Sequence, residues 1–158
     1  TETPLLLTRD LRRIEQHFGE KITYLDTLFI LADEGNRLQR GVERLVRQAE
    51  AAVRAGKPYI VLSDEHMNAE RAPIPMILAV SAVHSHLVAC KLRKKASILV
   101  RTSECLEPHA FAVLIGVGAT VVNPHLAEAI IKKRHPAGRD SGSAGSHAKS
   151  KDPVQTLR

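Results

Sequence analysis

The chain predicts an α/β fold: a parallel sheet of about four strands joined by crossover helices, like part of a barrel, followed by a disordered C-terminal tail. Three observations carry this expectation. Short apolar runs alternate with amphipathic helical stretches about four times along the chain. The interval after each run is long enough for a helix to cross back over the sheet, which parallel pairing requires. Beyond Lys132 the composition shifts to Gly, Ser, Ala and Lys, with almost nothing to bury. The chain therefore divides into an α/β module over 1–131 and a basic, disordered tail over 132–158.

In order, Leu11 and Ile14 within Pro4–Phe18 indicate a short helix over Arg9–His17, with Thr8 as its cap and Gly19 as its stop. Lys21–Leu31, rich in Ile, Leu, Tyr and Phe, reads as one strand. Asn36 and Gln39 suit a capping pair for the next helix. Its apolar face is Val42, Leu45, Val46, Ala49, Ala52 and Val53, and Arg40, Glu43, Arg47 and Glu50 form its solvated side. Gly56 is placed to end it.

Tyr59–Leu62 is a short apolar strand, followed by a charged loop. Pro75 then opens a helix running to about Leu92 on a stripe of Met76, Ile77, Val80, Val83, His84 and Leu87. Ala96–Arg101 is the next strand and Glu104–Ile115 the next helix, with Pro108 near its start and Gly116 near its end. Thr120–Val122 is a fourth strand, and Asn123-Pro124 caps a last helix over His125–Ile131.

Composition excludes several classes of function. Apolar residues make up 44% and aromatics only 3%, with no Trp, which leaves no stacking platform for single-stranded nucleic acid. The formal net charge is +6, but seven Lys or Arg against two Asp in residues 132–158 account for +5 of it. A near-neutral body with a basic tail argues against nucleic acid as a partner. No apolar run approaches the roughly 18 residues of a membrane span. Cys90 and Cys105, fifteen apart, have no cluster spacing; alone they build neither a zinc nor an iron–sulfur site, and they suit a reducing, cytoplasmic setting. The chain begins at Thr1 rather than Met, which suggests processing, trimming or a piece of something longer.

Several residues invite chemistry. Gly116-Val117-Gly118-Ala119 resembles a phosphate loop, but it follows a helix and precedes a strand, the reverse of a dinucleotide loop. Helix-terminating glycines account for it better. His84 and His86 stand two apart on one helix and cannot jointly hold a metal. His109 and His125 lie near helix starts, and no carboxylate is placed by the sequence to orient any of these four histidines. Ser63 lacks a nucleophile elbow. Asp64, Glu65, Glu70 and Arg71 follow a strand's carboxyl end, where ligands gather in open α/β sheets. The plainer account is that Asp64 accepts loop N–H groups while Glu70 and Arg71 pair at the surface.

Leu62–Leu87, reading LSDEHMNAERAPIPMILAVSAVHSHL, resembles the central domain of the large subunit of glutamate synthase. The shared features are a strand ending in Leu-Ser-Asp, an Ala-x-Arg-Ala-Pro-Ile-Pro loop and an Ala-Val-His-x-His-Leu helix. Lys91–Thr102 and Phe111–Ala127 match further segments in the same order, as do Pro4–Ile14 and Tyr24–Phe29, so the likeness spans about residues 3–130. This chain departs at Glu65, where the family has Arg, and at Val117 and His125, where it has Tyr.

The resemblance implies an oxidoreductase that moves the amide nitrogen of glutamine onto 2-oxoglutarate to give glutamate, for ammonia assimilation. It implies that an amidotransferase domain releases ammonia and that a barrel carrying FMN and a three-iron cluster performs the reductive amination. The central domain links them and helps to wall the ammonia passage. On this reading the chain is a non-catalytic linking or scaffold module, the later half of a central domain. It supplies no catalytic, cofactor-binding or metal-binding residue, and Asp64–Arg71 is a domain-contact surface. The rival is a free-standing small-ligand-binding α/β protein with its site at Ser63, Asp64, Arg101 and Asn123.

Overall fold

Alternating apolar residues on three of the four sheet strands decide the architecture of the computed structural model, which describes residues 3–32 and 35–135. Four strands, β1 (Ile22–Asp26), β3 (Tyr59–Ser63), β5 (Ser97–Arg101) and β6 (Val121–Asn123), form one parallel sheet in that spatial order. Ile60, Leu62, Ile98, Val100 and Val122 point to one face, and Val61, Leu99 and Val121 to the other. Both sets are buried, as a sheet covered on both sides demands.

Three helices cover the first face: α2 (Arg37–Arg54), α3 (Met76–Ala89) and α4 (Pro108–Gly116). Leu45, Ala49 and Val53 of α2 meet Ala79, Val80, Val83 and Leu87 of α3 in the core. The other face is closed by α1 (Thr8–Phe18) through Leu11 and Ile14. The final helix, α5 (His125–Arg134), follows β6 and outruns its expected end at Ile131. Pro4–Leu6 runs parallel beside β6, with Val122 N–H donating to Pro4 O and Leu6 N–H donating to Val122 O. Residues 136–158, most of the expected tail, lie outside the described residues, as does Thr1.

The expected single strand over Lys21–Leu31 is two. β1 ends at Asp26, and β2 (Leu28–Ile30) pairs antiparallel with β4 (Arg71–Pro73) in a separate two-stranded sheet. Thr27 makes the break: its N–H and hydroxyl both donate to Ser63 O, at 2.9 and 3.0 Å. Its carbonyl accepts Ile74 N–H, which ties β4 to the same corner.

The caps also differ from expectation. Thr8 and Asn36 form no side-chain cap: Leu7 and Asn36 occupy the N-cap positions without one, and Gln39 Nε2 donates to Glu43 instead. Pro75 and Pro124 stand at N-cap positions of α3 and α5, and α4 starts at Pro108 rather than Glu104.

Gly116–Ala119 joins α4 to β6 as expected from its context. Gly118 sits at φ +121°, and a Cβ there would lie 2.3 Å from the His84 ring, so glycine is required twice over. At Gly41 a Cβ would meet Phe29 Cβ at 2.9 Å, which is how α2 packs so closely on β2.

Candidate functional site

The carboxyl ends of β3, β5 and β6 converge on Asp64, whose side chain is fully buried. Asp64 Oδ2 accepts the Thr102 hydroxyl at 2.8 Å, Ser103 N–H at 2.8 Å and the Ser103 hydroxyl at 3.0 Å. Its Oδ1 lies 3.0 Å from His125 Nε2, presented by the first residue of α5. Burial alone would disfavour the charge, but the bonds from His125, Ser103 and Thr102 outweigh it and hold the Asp64 carboxyl below the ordinary range.

Arg101, at the end of β5, donates through Nε and Nη2 to both oxygens of Glu65, each at 2.7 Å. This fork, the stronger form of ion pair, holds Glu65 below the usual carboxylate value. Arg101 Nη1 also donates to Asn123 Oδ1 at 3.2 Å, and Asn123 Nδ2 donates to Leu6 O at 2.8 Å. Ser63 Oγ accepts Glu65 N–H. The four residues expected to bind a ligand are thus brought together, but as partners within one internal network. Among the described residues, no buried side-chain nitrogen or oxygen lacks a hydrogen-bond partner.

Two further carboxylates work at long range. Glu104, just before α4, accepts Met76 N–H at 3.0 and 3.1 Å and so caps α3, which Pro75 cannot cap. Partial burial of its carboxyl, and the nearby charge of Asp64, push Glu104 up despite that bond. Glu128 of α5 is buried and accepts the N–H and hydroxyl of Thr8 at 2.8 and 2.7 Å, capping α1. Burial opposes its charge; Lys132, 2.6 Å away, and Thr8 reverse the balance and hold it low. Thr8 therefore does serve its own helix, but through Glu128.

The charged loop separates into an anchor and an exposed span. Asp64 is buried, whereas Glu65–Glu70 are exposed, so the face available for contact is shorter than Asp64–Arg71. Arg71 does not pair with Glu70 as expected: its guanidinium lies 3.6 Å from Asp26 and donates to His66 O. Met67 in this loop, and Ile30 and Leu31 beside it, are large apolar side chains left exposed. Leu31 N–H donates to Glu70 O, which fixes their adjacency.

Two histidines expected to lack an orienting carboxylate have one. His125 faces Asp64, and His86 Nε2 lies 2.6 Å from Glu50 Oε2. Both partners are distant in sequence, which is why local spacing missed them. His84 instead accepts Arg93 Nε–H at 3.0 Å, and Arg93 also donates to Gly118 O, locking α3 to the turn before β6. His109 is exposed on α4.

A largely apolar groove of about 230 Å³ runs between Pro4, Leu5, Cys105, Pro108, Phe111 and Pro124. Burial pushes the Cys105 thiol up, away from the thiolate that a nucleophile needs. No helix among the described residues is long and apolar enough to cross a membrane.

The sequence motifs agree with comparisons to known proteins. The glutamate synthase central domain family matches residues 1–155, further than the 3–130 that the motifs alone cover. The large chain of glutamate synthase [NADPH] from Azospirillum brasilense is 42% identical over 137 residues, 87% of this chain and 9% of the relative. That of Bacillus subtilis is 43% identical over 123 residues, 78% of this chain and 8% of the relative. A ferredoxin-dependent glutamate synthase from Pyropia yezoensis is 38% identical over 130 residues, 80% of this chain and 8% of the relative. The chain thus spans less than a tenth of the length of these relatives. On this likeness of profile and sequence, the chain belongs to the glutamate synthase central domain family.

Proposed function

We propose that the chain is a non-catalytic linking module of glutamate synthase, holding an amidotransferase domain and a flavin-bearing domain in register. The observation that carries this reading is the saturation of the strand-end network. A catalytic or ligand-binding edge leaves polar groups aimed at the space the ligand will fill. Here Asp64, Thr102, Ser103, Asn123 and His125 are hydrogen-bonded to one another or to backbone, and Arg101 is committed to Glu65 and Asn123.

The exposed span Glu65–Glu70, with Met67 and the adjoining Ile30 and Leu31, is the domain-facing surface. Fixing such a loop rigidly to the sheet, through Asp64 beneath it, suits a part that sets the position of its neighbours. Two cysteines do not by themselves make up the thiolate set of an iron–sulfur cluster, which suits a cluster held by another domain.

The purified chain should carry no flavin, show neither glutaminase nor glutamate-forming activity, and give no saturable thermal shift with FMN, glutamine, glutamate or 2-oxoglutarate. Stoichiometric flavin retained through purification would overturn the proposal. A reproducible saturable shift with one of the small molecules would establish instead a free-standing ligand-binding protein.

A further inference from the structure

Glu50, His86 and Cys90 bring three metal-binding atoms together on the outer side of the α2–α3 pair, remote in role from the strand-end network. Their donor atoms all lie within 4.8 Å of one another. His86 and Cys90 are four apart, one on α3 and the other at its C-cap, so they stack on one face of the helix. Glu50 reaches them from the fourth turn of α2, which packs against α3 in the core. All three are half-buried rather than freely solvated.

We propose that this cluster is a binding site for a borderline divalent cation, Zn²⁺ in the first instance, which staples α2 to α3. One thiolate, one imidazole and one carboxylate are a donor set suited to zinc, with a water completing the tetrahedron.

The sulfur–nitrogen separation already suits a filled site, and the nitrogen–oxygen separation has to open. For zinc bonds of about 2.3 Å to sulfur and about 2.0–2.1 Å to nitrogen, a tetrahedral angle separates the two donors by about 3.6 Å. Cys90 Sγ and His86 Nε2 are 3.6 Å apart. The same construction puts nitrogen and carboxylate oxygen about 3.4 Å apart, whereas His86 Nε2 and Glu50 Oε2 are 2.6 Å apart. The carboxylate has to withdraw by about 0.8 Å on that construction, a small rotation for a partly exposed side chain.

The other carboxylate oxygen is held separately. Arg54 Nε donates to Glu50 Oε1 at 2.8 Å, leaving Oε2 turned toward His86. Such an outer partner orients a ligand, and Arg54, itself mostly exposed, can move its charge away from an incoming cation.

The charges balance. Cys90 gives up its thiol proton to solvent, and its thiolate together with the Glu50 carboxylate neutralises the two charges of the metal. Any hydrogen on His86 Nε2 passes to Nδ1 or to solvent, freeing the Nε2 lone pair, and no electron is transferred. This site is independent of the linking role and of the partners proposed above.

Cobalt(II), which takes the same tetrahedral ligands, is the probe, added to the full chain after any affinity tag has been removed. The expected result is one equivalent bound, with a thiolate-to-cobalt charge-transfer band and the intense visible bands of tetrahedral cobalt. Cys90→Ala and His86→Ala should abolish the charge-transfer band while leaving far-ultraviolet circular dichroism unchanged, and Cys105→Ala should retain it. Glu50→Gln should keep the band but weaken zinc competition by more than about tenfold, the lower end for losing even an outer-shell partner. Folded protein that gives no charge-transfer band with stoichiometric cobalt would overturn the proposal. So would a band unchanged in Cys90→Ala, which would place the metal elsewhere.

Discussion

Two clusters in this molecule use nearly the same chemistry to opposite effect. At the strand ends, a carboxylate (Asp64) meets a histidine (His125) and the hydroxyls of Thr102 and Ser103. On the outer helices, a carboxylate (Glu50) meets a histidine (His86) and a thiol (Cys90). The first has a sealed centre: Asp64 has no exposed side-chain surface, and its two oxygens accept from Thr102 and Ser103 and face His125. The second is open, with side chains of Glu50 and His86 still 25% and 32% exposed. Residue type therefore does not distinguish a structural network from an available site. What separates them is burial: the Asp64 carboxylate is sealed from solvent, whereas the Glu50 carboxylate is reachable.

Removing the centre of the sealed cluster should cost most. Asp64→Ala leaves the Thr102 hydroxyl and Ser103 N–H without their acceptor, and each such buried group costs about 1–3 kcal/mol. A loss of about 3 kcal/mol or more is expected, read from urea unfolding midpoints. A loss no larger than that of a surface substitution would mean that the network is not sealed. Glu128→Ala should come next, at about 2 kcal/mol, because it uncaps α1 and strands partly buried donors of Thr8. Chemical denaturation of the variant at neutral pH measures it directly.

The pH dependence sharpens the same contrast. Asp64 and Glu128 are held below their ordinary values in the fold, so the unfolded chain takes up protons first as the pH falls. Their stabilisation is complete above about pH 4–5, where the unfolded carboxyls are ionised, and fades as the pH drops through the folded values. Asp64→Asn should flatten that acid limb. Glu104 runs the other way. Its raised value gives a contribution that is complete below its unfolded value and lost as the pH rises through the folded one. Glu104→Gln should accordingly remove a small loss of stability on the approach to neutrality while keeping an oxygen for Met76 N–H. Stability measured from pH 3 to 7 for the two variants distinguishes these opposite signs.

The open cluster should show the smallest effect. Without metal, His86→Ala should leave the unfolding midpoint nearly unchanged, since a partly exposed polar pair contributes about 0–1 kcal/mol. A large loss there would make it a second structural network.

The sequence revealed the parts whose causes are local. Alternation of apolar runs with helical stretches gave the parallel sheet, Gly56 and Gly118 marked helix exits, and the order of motifs from Leu62 to Leu87 pointed to the family. It did not reveal what depends on residues far apart in the chain. Asp64 and His125 are 61 positions apart, Glu50 and His86 are 36 apart, and Glu128 caps a helix 120 positions upstream. The division at Thr27 was hidden for the same reason, because apolar residues continue on both sides and the break is made by Ser63 O. One signal was present but unused: His86 and Cys90 have metal-ligand spacing on a helix, though Glu50 read only as part of a solvated face.

The linking role is tested most directly by titrating the chain into separately produced amidotransferase and flavin domains of glutamate synthase and following the heat of binding. The account predicts saturable association with at least one of them, weakened by about tenfold or more in Met67→Asp, a loss expected of an interface anchor. His86→Ala, away from that loop, should bind as the unchanged chain does. No association with either domain, or an affinity indifferent to Met67→Asp, would contradict it.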